Sequence, residues 1–249
     1  MTSEMQFKST AAVTVDAMTA TIDRLAKKDP VLKPLSDGLR DIDTDGPMNG
    51  PQRHIHPIAF AHLEQIAKQL PHTGLALAEI AQRAILNLDW TNLCEGGIDD
   101  DLRDGLFIAQ AAGNFAGFES NEISVGLFLL GPNVYYPPHT HEPAEIYYCV
   151  SGEVEIQHGI GGALHKLKPG DYSYTPPNRL HSITTNDTPA LLAYSWRGDL
   201  NAKAWWWEQC NDGSYQRFAW QRNDTGAWVR QHTEVVTDAV YAEATASWR

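Results

Sequence analysis

The sequence has 249 residues, with 31 Asp and Glu against 19 Lys and Arg, so its formal net charge is −12. This length permits one large domain or two small ones, and it is ample for a buried core. The acidic balance argues against nucleic acid and against an anionic membrane surface as partners, because both require clustered Lys and Arg.

The first hundred residues carry helical patterns. Residues 11–28 are rich in Ala, Thr, Leu and Lys, and Asp29-Pro30 ends this helix because the residue before proline disfavours helical geometry. Residues 43–52 contain two Gly-Pro pairs and an Asn-Gly, which are typical of a surface loop. Two apolar stripes then predict a second helix, ended by Pro71, and a third helix: Phe60, Leu63, Ala67 and Leu70, then Leu77, Ile80, Ala81, Ala84 and Leu88.

From about residue 115 the pattern changes to short strands. Runs rich in Val, Ile, Tyr and Thr are separated by Gly, Pro and Asn: NEISVGLFLLG, EIYYCVSGEVEIQHG, HKLKPGDYSYTPP, HSITT and ALLAYSWRG. Such strands predict an antiparallel sandwich or barrel. The later run GSYQRFAWQRNDTGAWVRQ predicts one more hairpin that turns around residues 223–226, and DAVYAEATASWR predicts a helical or frayed end.

These elements divide the chain into three segments. Residues 1–105 form a helical region, residues 106–200 form the β-domain, and residues 201–249 form a Trp-rich extension that we expect to pack on it. The predicted fold class is therefore α+β, with the helical region packed on a single antiparallel β-barrel.

The candidate site lies between residues 131 and 181. His139 and His141 point to the same face of a strand, because strand side chains alternate with a period of two. Glu145 follows four residues after His141, and His181 opens a later strand after a Pro-Pro-Asn turn. Imidazole and carboxylate together suit a divalent transition metal, so this set predicts a metal site.

Two motifs carry a resemblance to a known superfamily. The run His139-x-His141-x3-Glu145-x6-Gly152 matches the first cupin motif, and Gly170-x5-Pro176-x-Asn178-x2-His181 resembles the second. Asn178 replaces the usual glycine, which is a mild departure because Asn tolerates the left-handed backbone conformation, and Thr185 stands where the motif usually has Asn. The resemblance implies a jelly-roll-like barrel of two sheets with a metal at its mouth.

A narrower resemblance adds the residues around the motifs. Tyr136-x4-His141-x3-Glu145-x-Tyr147, a later His181 and then Trp196-Arg197-Gly198-Asp199 are similar to the cupin lyases of dimethylsulfoniopropionate (DMSP). The similarity covers about residues 106–200, and that family also has a helical region before the barrel. It implies a metal-dependent carbon–sulfur lyase that removes the α-proton of DMSP and releases dimethyl sulfide and acrylate by β-elimination.

The same resemblance implies roles for individual residues. His141, Glu145 and His181 would hold one divalent metal (Zn, Fe, Mn, Ni or Co), with His139 as a fourth ligand or as a neighbour that orients the substrate. Tyr147 is the first candidate for the base or for a displaceable metal ligand, and Tyr136 is the second. Trp196 is expected to line the substrate pocket, because aromatic faces attract cations such as a sulfonium.

Two alternative functions use the same motifs. Another metal-dependent cupin enzyme, such as a dioxygenase or isomerase on a small carboxylate, needs the His and Glu ligands but not the tyrosines. A non-catalytic ligand-binding cupin needs neither tyrosine for any activity.

The expected partner is a small carboxylate or sulfonium substrate, not nucleic acid or membrane, and a homodimer is left open. Three cysteines cannot form a closed disulfide set, and the sequence has neither an obvious secretory signal nor an apolar run of roughly 18–20 residues. We therefore expect a cytoplasmic protein.

Overall fold

The computed structural model describes residues 3–49, 55–94, 98, 100–223 and 228–247. The helices of this part of the chain are α1 (Ser3–Ala26), α2 (Lys33–Arg40), α3 (Pro57–Gln69), α4 (Ala76–Asn87), α5 (Asp100–Arg103) and α6 (Asp238–Thr245). The helix predicted over residues 11–28 corresponds to α1, which already begins at Ser3, and the two apolar stripes correspond to α3 and α4; a proline follows each of the first two as expected. No helix within the described ranges is both long and apolar enough to cross a membrane.

The strands of the described residues form two sheets. The first sheet has the order β1-β4-β3-β5-β12-β7-β10, with β2 beside β3, and the second has the order β15-β14-β13-β6-β11-β8-β9. All pairs are antiparallel except β3 with β4. The strand bounds are β1 (Met48–Asn49), β2 (Thr91–Asn92), β3 (Leu106–Gly113), β4 (Gly117–Glu119), β5 (Ile123–Leu130), β6 (Tyr135–His141), β7 (Ala144–Ser151), β8 (Val154–His158), β9 (Leu164–Leu167), β10 (Tyr172–Thr175), β11 (His181–Thr185), β12 (Ala190–Arg197), β13 (Ala204–Gln209), β14 (Tyr215–Arg222) and β15 (Trp228–Val235).

The first sheet separates two hydrophobic cores. On β7, Ile146 and Tyr148 belong to the core under the helices, whereas Tyr147 and Cys149 belong to the core between the sheets. This alternation follows from the period of two along a strand. Because both faces are buried, β7 and β5 read as continuous apolar runs in the sequence.

The predicted fold class is confirmed: a helical N-terminal region packs on a double-sheet cupin jelly roll. Hydrogen bonds among the described residues leave two facing sheets and do not close them into one continuous barrel. One detail of the helical stripes is wrong. Phe60 is 43% exposed, because α3 instead buries Ala59, Leu63 and Ile66.

The residues after the second motif extend the second sheet. β13 pairs with β6, which sets Trp206 opposite His139 and Ala204 opposite His141. The predicted hairpin is confirmed as β14 and β15, and residues 224–226 of the predicted turn lie outside the described residues. Similarly, residues 50–52 of the predicted loop lie outside the described ranges, and residues 48–49 of that loop form β1.

Candidate metal centre

Strands β6, β7 and β11 bring the four predicted ligands together between the sheets. One nitrogen from each of His139, His141 and His181 lies within 4.8 Å of the others. Oε2 of Glu145 lies 3.3 Å from Nε2 of His141 and 3.0 Å from Nε2 of His181. All four side chains are at most 2% exposed. Residues separated by more than forty positions in the sequence therefore form one cluster.

The outer nitrogen of each histidine is held by the backbone. A carbonyl oxygen only accepts, so a ring Nδ1 within hydrogen-bond distance of it carries the proton and leaves Nε2 with a lone pair. The three contacts are His139 Nδ1 to Pro137 O at 2.8 Å, His141 Nδ1 to Pro143 O at 2.8 Å, and His181 Nδ1 to Arg179 O at 3.1 Å. Such contacts fix the tautomer and the ring orientation of metal ligands.

These tautomers make the interior of the cluster electron-rich. Nε2 of His141, Nε2 of His181 and Oε2 of Glu145 are buried and have no hydrogen-bond partner, although they approach one another to 3.0–3.3 Å. Acceptors that face each other in a buried space repel, and a cation between them removes the repulsion and satisfies all three. The set of imidazole and carboxylate donors therefore fits a divalent transition metal.

The charge state of the cluster also suits a cation. Burial opposes ionisation of Glu145, but in the cation-free cluster positive charge and hydrogen bonds from His141 and His181 outweigh that effect and hold the pKa of its carboxyl well below the usual value, and a bound metal would supply that positive charge instead. Burial, together with the neighbouring His181 and His141, lowers the pKa of His139 well below its usual value. At neutral pH the cluster thus contains an anionic carboxylate and a neutral His139, which are the protonation states that metal ligation requires.

Tyr136 reaches the site through a bulge in β6. In the pairing with β11, His139 lies opposite His181 and Tyr136 lies opposite Ile183. The chain therefore advances three positions along β6 for two positions along β11. In a regular strand, residues three positions apart point to opposite faces. The extra residue of the bulge places Tyr136 on the same face as His139. The Tyr136 ring stacks on His139 with centroids 4.0 Å apart.

Tyr147 lies on β7 beside Glu145, on the same face. Phe128 of β5 contacts both tyrosines, stacked on Tyr147 at 5.8 Å and edge-on to Tyr136 at 6.1 Å. Burial raises the pKa of Tyr147 well above its usual value, and the negative charge of Glu145 adds to the effect. Burial raises the pKa of Tyr136 in the same way. Without a cation, both phenols are therefore protonated at neutral pH.

Trp196 contacts two of the predicted ligands. Its indole Nε1 donates a hydrogen bond to Oε1 of Glu145, and its ring stacks on His141 with centroids 4.3 Å apart. The ring centroid of Trp228 lies 6.2 Å from that of Trp196. Trp196 therefore orients the ligands in addition to lining the cavity.

The site opens into a narrow cavity between the two sheets. Sequence reasoning singled out Trp196 but not several other walls, which come from β5, Tyr194 of β12 and the C-terminal strands. The lining residues are Leu93, Cys94, Ile108, Ser124, Phe128, Tyr136, His141, Glu145, Tyr147, Tyr194, Trp196, Ala204, Trp206, Trp220, Arg222 and Trp228. The cavity thus has an anionic carboxylate at the metal ligands and mostly aromatic walls.

Arg222 contributes a positive charge to this wall. Its guanidinium lies over the rings of Phe115 at 4.6 Å and Trp228 at 4.5 Å. Burial lowers its pKa to about 10, so the group is still charged at neutral pH. Nothing in the sequence around a single Arg in a hairpin indicates that it lines the cavity.

His158 of β8 is a further histidine beside the cluster. It is only partly exposed, and it pairs with His181 across β8 and β11, with ring centroids 6.4 Å apart. Its Nε2 lies 3.2 Å from Oγ1 of Thr175. The sequence pattern missed this position because the cross-strand register was unknown.

Comparison with known proteins gives a consistent result. A family profile for DMSP lyases matches residues 21–192. The dimethylsulfoniopropionate lyase DddQ of Ruegeria pomeroyi is 33% identical over 147 residues, which cover 59% of this chain and 72% of that protein.

Two solved structures share the fold. The crystal structure of DddQ from Ruegeria pomeroyi DSS-3 matches with a TM-score of 0.55 at 23% identity, covering 74% of this chain and 95% of that chain. A structure from a study of the DMSP lyases RdDddP and RnDddQII matches with a TM-score of 0.58 at 19% identity, covering 80% and 97%.

Proposed function

The chain belongs to the dimethylsulfoniopropionate lyase family, and we propose that its buried histidine and glutamate cluster is the centre at which it cleaves DMSP. The chain is a lyase, and the products are dimethyl sulfide and acrylate. One observation carries the assignment of the centre: buried acceptor atoms of His141, Glu145 and His181 converge without another partner.

In this proposal the metal ligands are His141, Glu145 and His181, with His139 as the fourth. The metal is a divalent first-row cation such as Zn, Fe, Mn, Ni or Co, because imidazole with one carboxylate accepts each of these. When bound, the cation supplies positive charge that stabilises an anionic carboxylate group of the substrate and favours a nearby phenolate.

The reaction itself is a β-elimination. A base takes the proton from the carbon next to the carboxylate, the electron pair of that C–H bond forms the Cα–Cβ double bond, and the Cβ–S bond breaks. Its electrons leave with sulfur, so the sulfonium departs as neutral dimethyl sulfide, acrylate keeps the carboxylate charge, and the base holds one proton.

Tyr147 is the proposed general base. Its phenol belongs to the same face of β7 as Glu145, and Phe128 stacks on its ring at 5.8 Å, which fixes the position of the oxygen. Tyr136 stacks on His139 and contacts Trp206 edge-on at 5.3 Å, so its proposed role is to orient substrate at the cavity wall. The aromatic walls exclude water and offer π-faces to the sulfonium.

Trp196 and His139 are also proposed to bind the substrate. Their main proposed roles are to orient Glu145 and His141, for Trp196, and to hold the metal, for His139. A homodimer and a cytoplasmic location stay predictions from the sequence.

Headspace gas chromatography of the purified full-length protein with DMSP tests the function. We expect dimethyl sulfide release that stops when a strong chelator is added and returns when a divalent metal is restored. Release that persists in metal-free protein, verified by elemental analysis, contradicts the proposed centre. No release from metal-loaded protein contradicts the proposed substrate.

A further inference from the structure

The loop between β10 and β11 contacts two of the proposed metal ligands through its backbone. Arg179 offers the carbonyl that accepts from His181 Nδ1 at 3.1 Å, and the Asn178 N–H donates to the carbonyl of His141 at 2.8 Å. A shift of this loop therefore turns the His181 ring and moves the strand end that carries His141. The position of the loop decides how well the two imidazoles converge.

Helix α6 holds this loop from outside. The Asn178 side-chain amide donates to Oε1 of Glu243 at 3.1 Å, and the Arg179 guanidinium donates to the backbone carbonyl of Glu243. Leu180 N–H donates to Ala244 O at 2.9 Å. Leu180 and Ala244 are buried together with Trp207, so an apolar contact anchors the helix beside these bonds. Three consecutive loop residues are thus tied to two consecutive helix residues.

The residue at position 178 links this contact to the cupin motif. Asn178 has φ +59°, a backbone conformation that glycine adopts without strain and that Asn adopts more readily than other side chains. Glycine at this position would satisfy the turn but could not reach Glu243. The side chain of Asn178 therefore has a use that the turn alone does not require.

We propose that Asn178 and Glu243 form a latch through which the C-terminal helix positions His181 and His141 for metal binding. These are positioning residues, since neither side chain contacts the ligand atoms of the cluster and Asn178 reaches His141 only through the backbone. Glu243 lies outside residues 21–192, to which the family profile corresponds, so the latch is a feature of this chain's C-terminal part. The proposal rests on the metal centre proposed above.

The measurement is the rate at which a chelator removes a single bound Zn²⁺ from the full-length protein, followed by absorbance, together with the Zn²⁺ dissociation constant. Asn178→Gly and Glu243→Ala each remove the latch hydrogen bond, and we expect each to weaken Zn²⁺ binding about threefold to fivefold, the factor of one hydrogen bond. Glu243→Gln keeps the acceptor oxygen, so it should bind Zn²⁺ like the wild type.

Asn133→Gly is the matched control. Asn133 is also exposed and has φ +57°, but its loop lies before β6, so this variant removes the same backbone strain without touching the latch. We expect its Zn²⁺ binding to stay unchanged. The double variant Asn178→Gly, Glu243→Ala should lose no more than either single variant, because both remove one interaction.

Zn²⁺ binding by Asn178→Gly and Glu243→Ala that matches Asn133→Gly overturns the latch. The latch is also overturned if the loss of Zn²⁺ affinity in the double variant equals the product of the losses in the two single variants. His181→Ala separates the two proposals. If it loses Zn²⁺ while the latch variants do not, only the latch fails; if it retains Zn²⁺, the metal centre and the latch both fail.

Discussion

Trp196 donates its indole N–H to Oε1 of Glu145, the oxygen opposite the one that faces His141 and His181. The two oxygens of the carboxylate are therefore used for different contacts, one for the indole and one for the cluster. An ionised acceptor makes this hydrogen bond stronger than one between neutral groups.

Trp196→Phe should weaken metal binding about tenfold, because it removes the donor that orients Glu145 but keeps a ring against His141. The measurement is metal affinity by competition with a chromophoric chelator, alongside KM for DMSP under saturating metal. If metal affinity is unchanged and KM alone rises, Trp196 acts on the sulfonium and not on the ligand.

Tyr147→Phe should lower kcat by a factor of about 100 to 10,000 while metal content persists, since it deletes a general base but no ligand of the proposed set. Tyr136→Phe is the matched comparison, because it removes the same hydroxyl from the other tyrosine, and its loss of kcat should be smaller. The reverse order of the two losses would assign the base to Tyr136. Elemental analysis of each variant checks that metal is retained.

The metal-free protein should lose stability as the pH falls from neutral. The pKa of His139 is depressed below 6.5, so the unfolded chain takes up the proton first and stability falls once the pH drops below that value. One such histidine contributes at most about 1.4 kcal/mol per pH unit. Urea unfolding of chelator-treated protein at several pH values measures the slope.

His139→Gln should flatten this pH dependence, because glutamine does not titrate. An unchanged slope in the variant would mean that other groups cause it. Glu145 also makes the folded protein less stable as the pH falls, but in a lower pH range. Its depressed pKa gives stability that is present above pH 4.5 and is lost as the pH falls further.

Arg222→Gln should lower KM for DMSP and weaken inhibition by acrylate, each by about threefold to tenfold, because a charge in the cavity wall repels the sulfonium and attracts an anion. Arg222→Lys, which keeps the charge, is the control. A higher KM in Arg222→Gln, restored in Arg222→Lys, would instead mean that the guanidinium holds the substrate carboxylate. Steady-state kinetics with acrylate as inhibitor distinguishes the two cases.

Two of the ligands were accessible to sequence reasoning because their relationship is local, whereas His181 joined them through residue type and the motif resemblance. His139 and His141 share a face through the strand period alone, and a helical half followed by short strands predicts the layered architecture. The tyrosine at position 136 was found only through the motif resemblance. Its place in the site depends on a bulge at Pro137 and Pro138, where a strand tolerates proline, but the sequence analysis did not place this bulge.

Other parts of the site depend on contacts between distant segments. The bond from Trp196 to Glu145 requires β12 to pair with β7 in one register, and Arg222 reaches the cavity only because the C-terminal hairpin continues the second sheet. Composition and periodicity describe one segment at a time, so they give neither relationship.

The two-faced burial of β7 has a consequence for folding. A slip of one residue would place Ile146 and Tyr148 in the cavity and would move Glu145 under the helices, where it would be a buried charge without histidines. Misregistered chains would therefore lack a complete set of ligands. Metal stoichiometry after refolding then becomes a direct count of the molecules whose central strand has found its correct alignment.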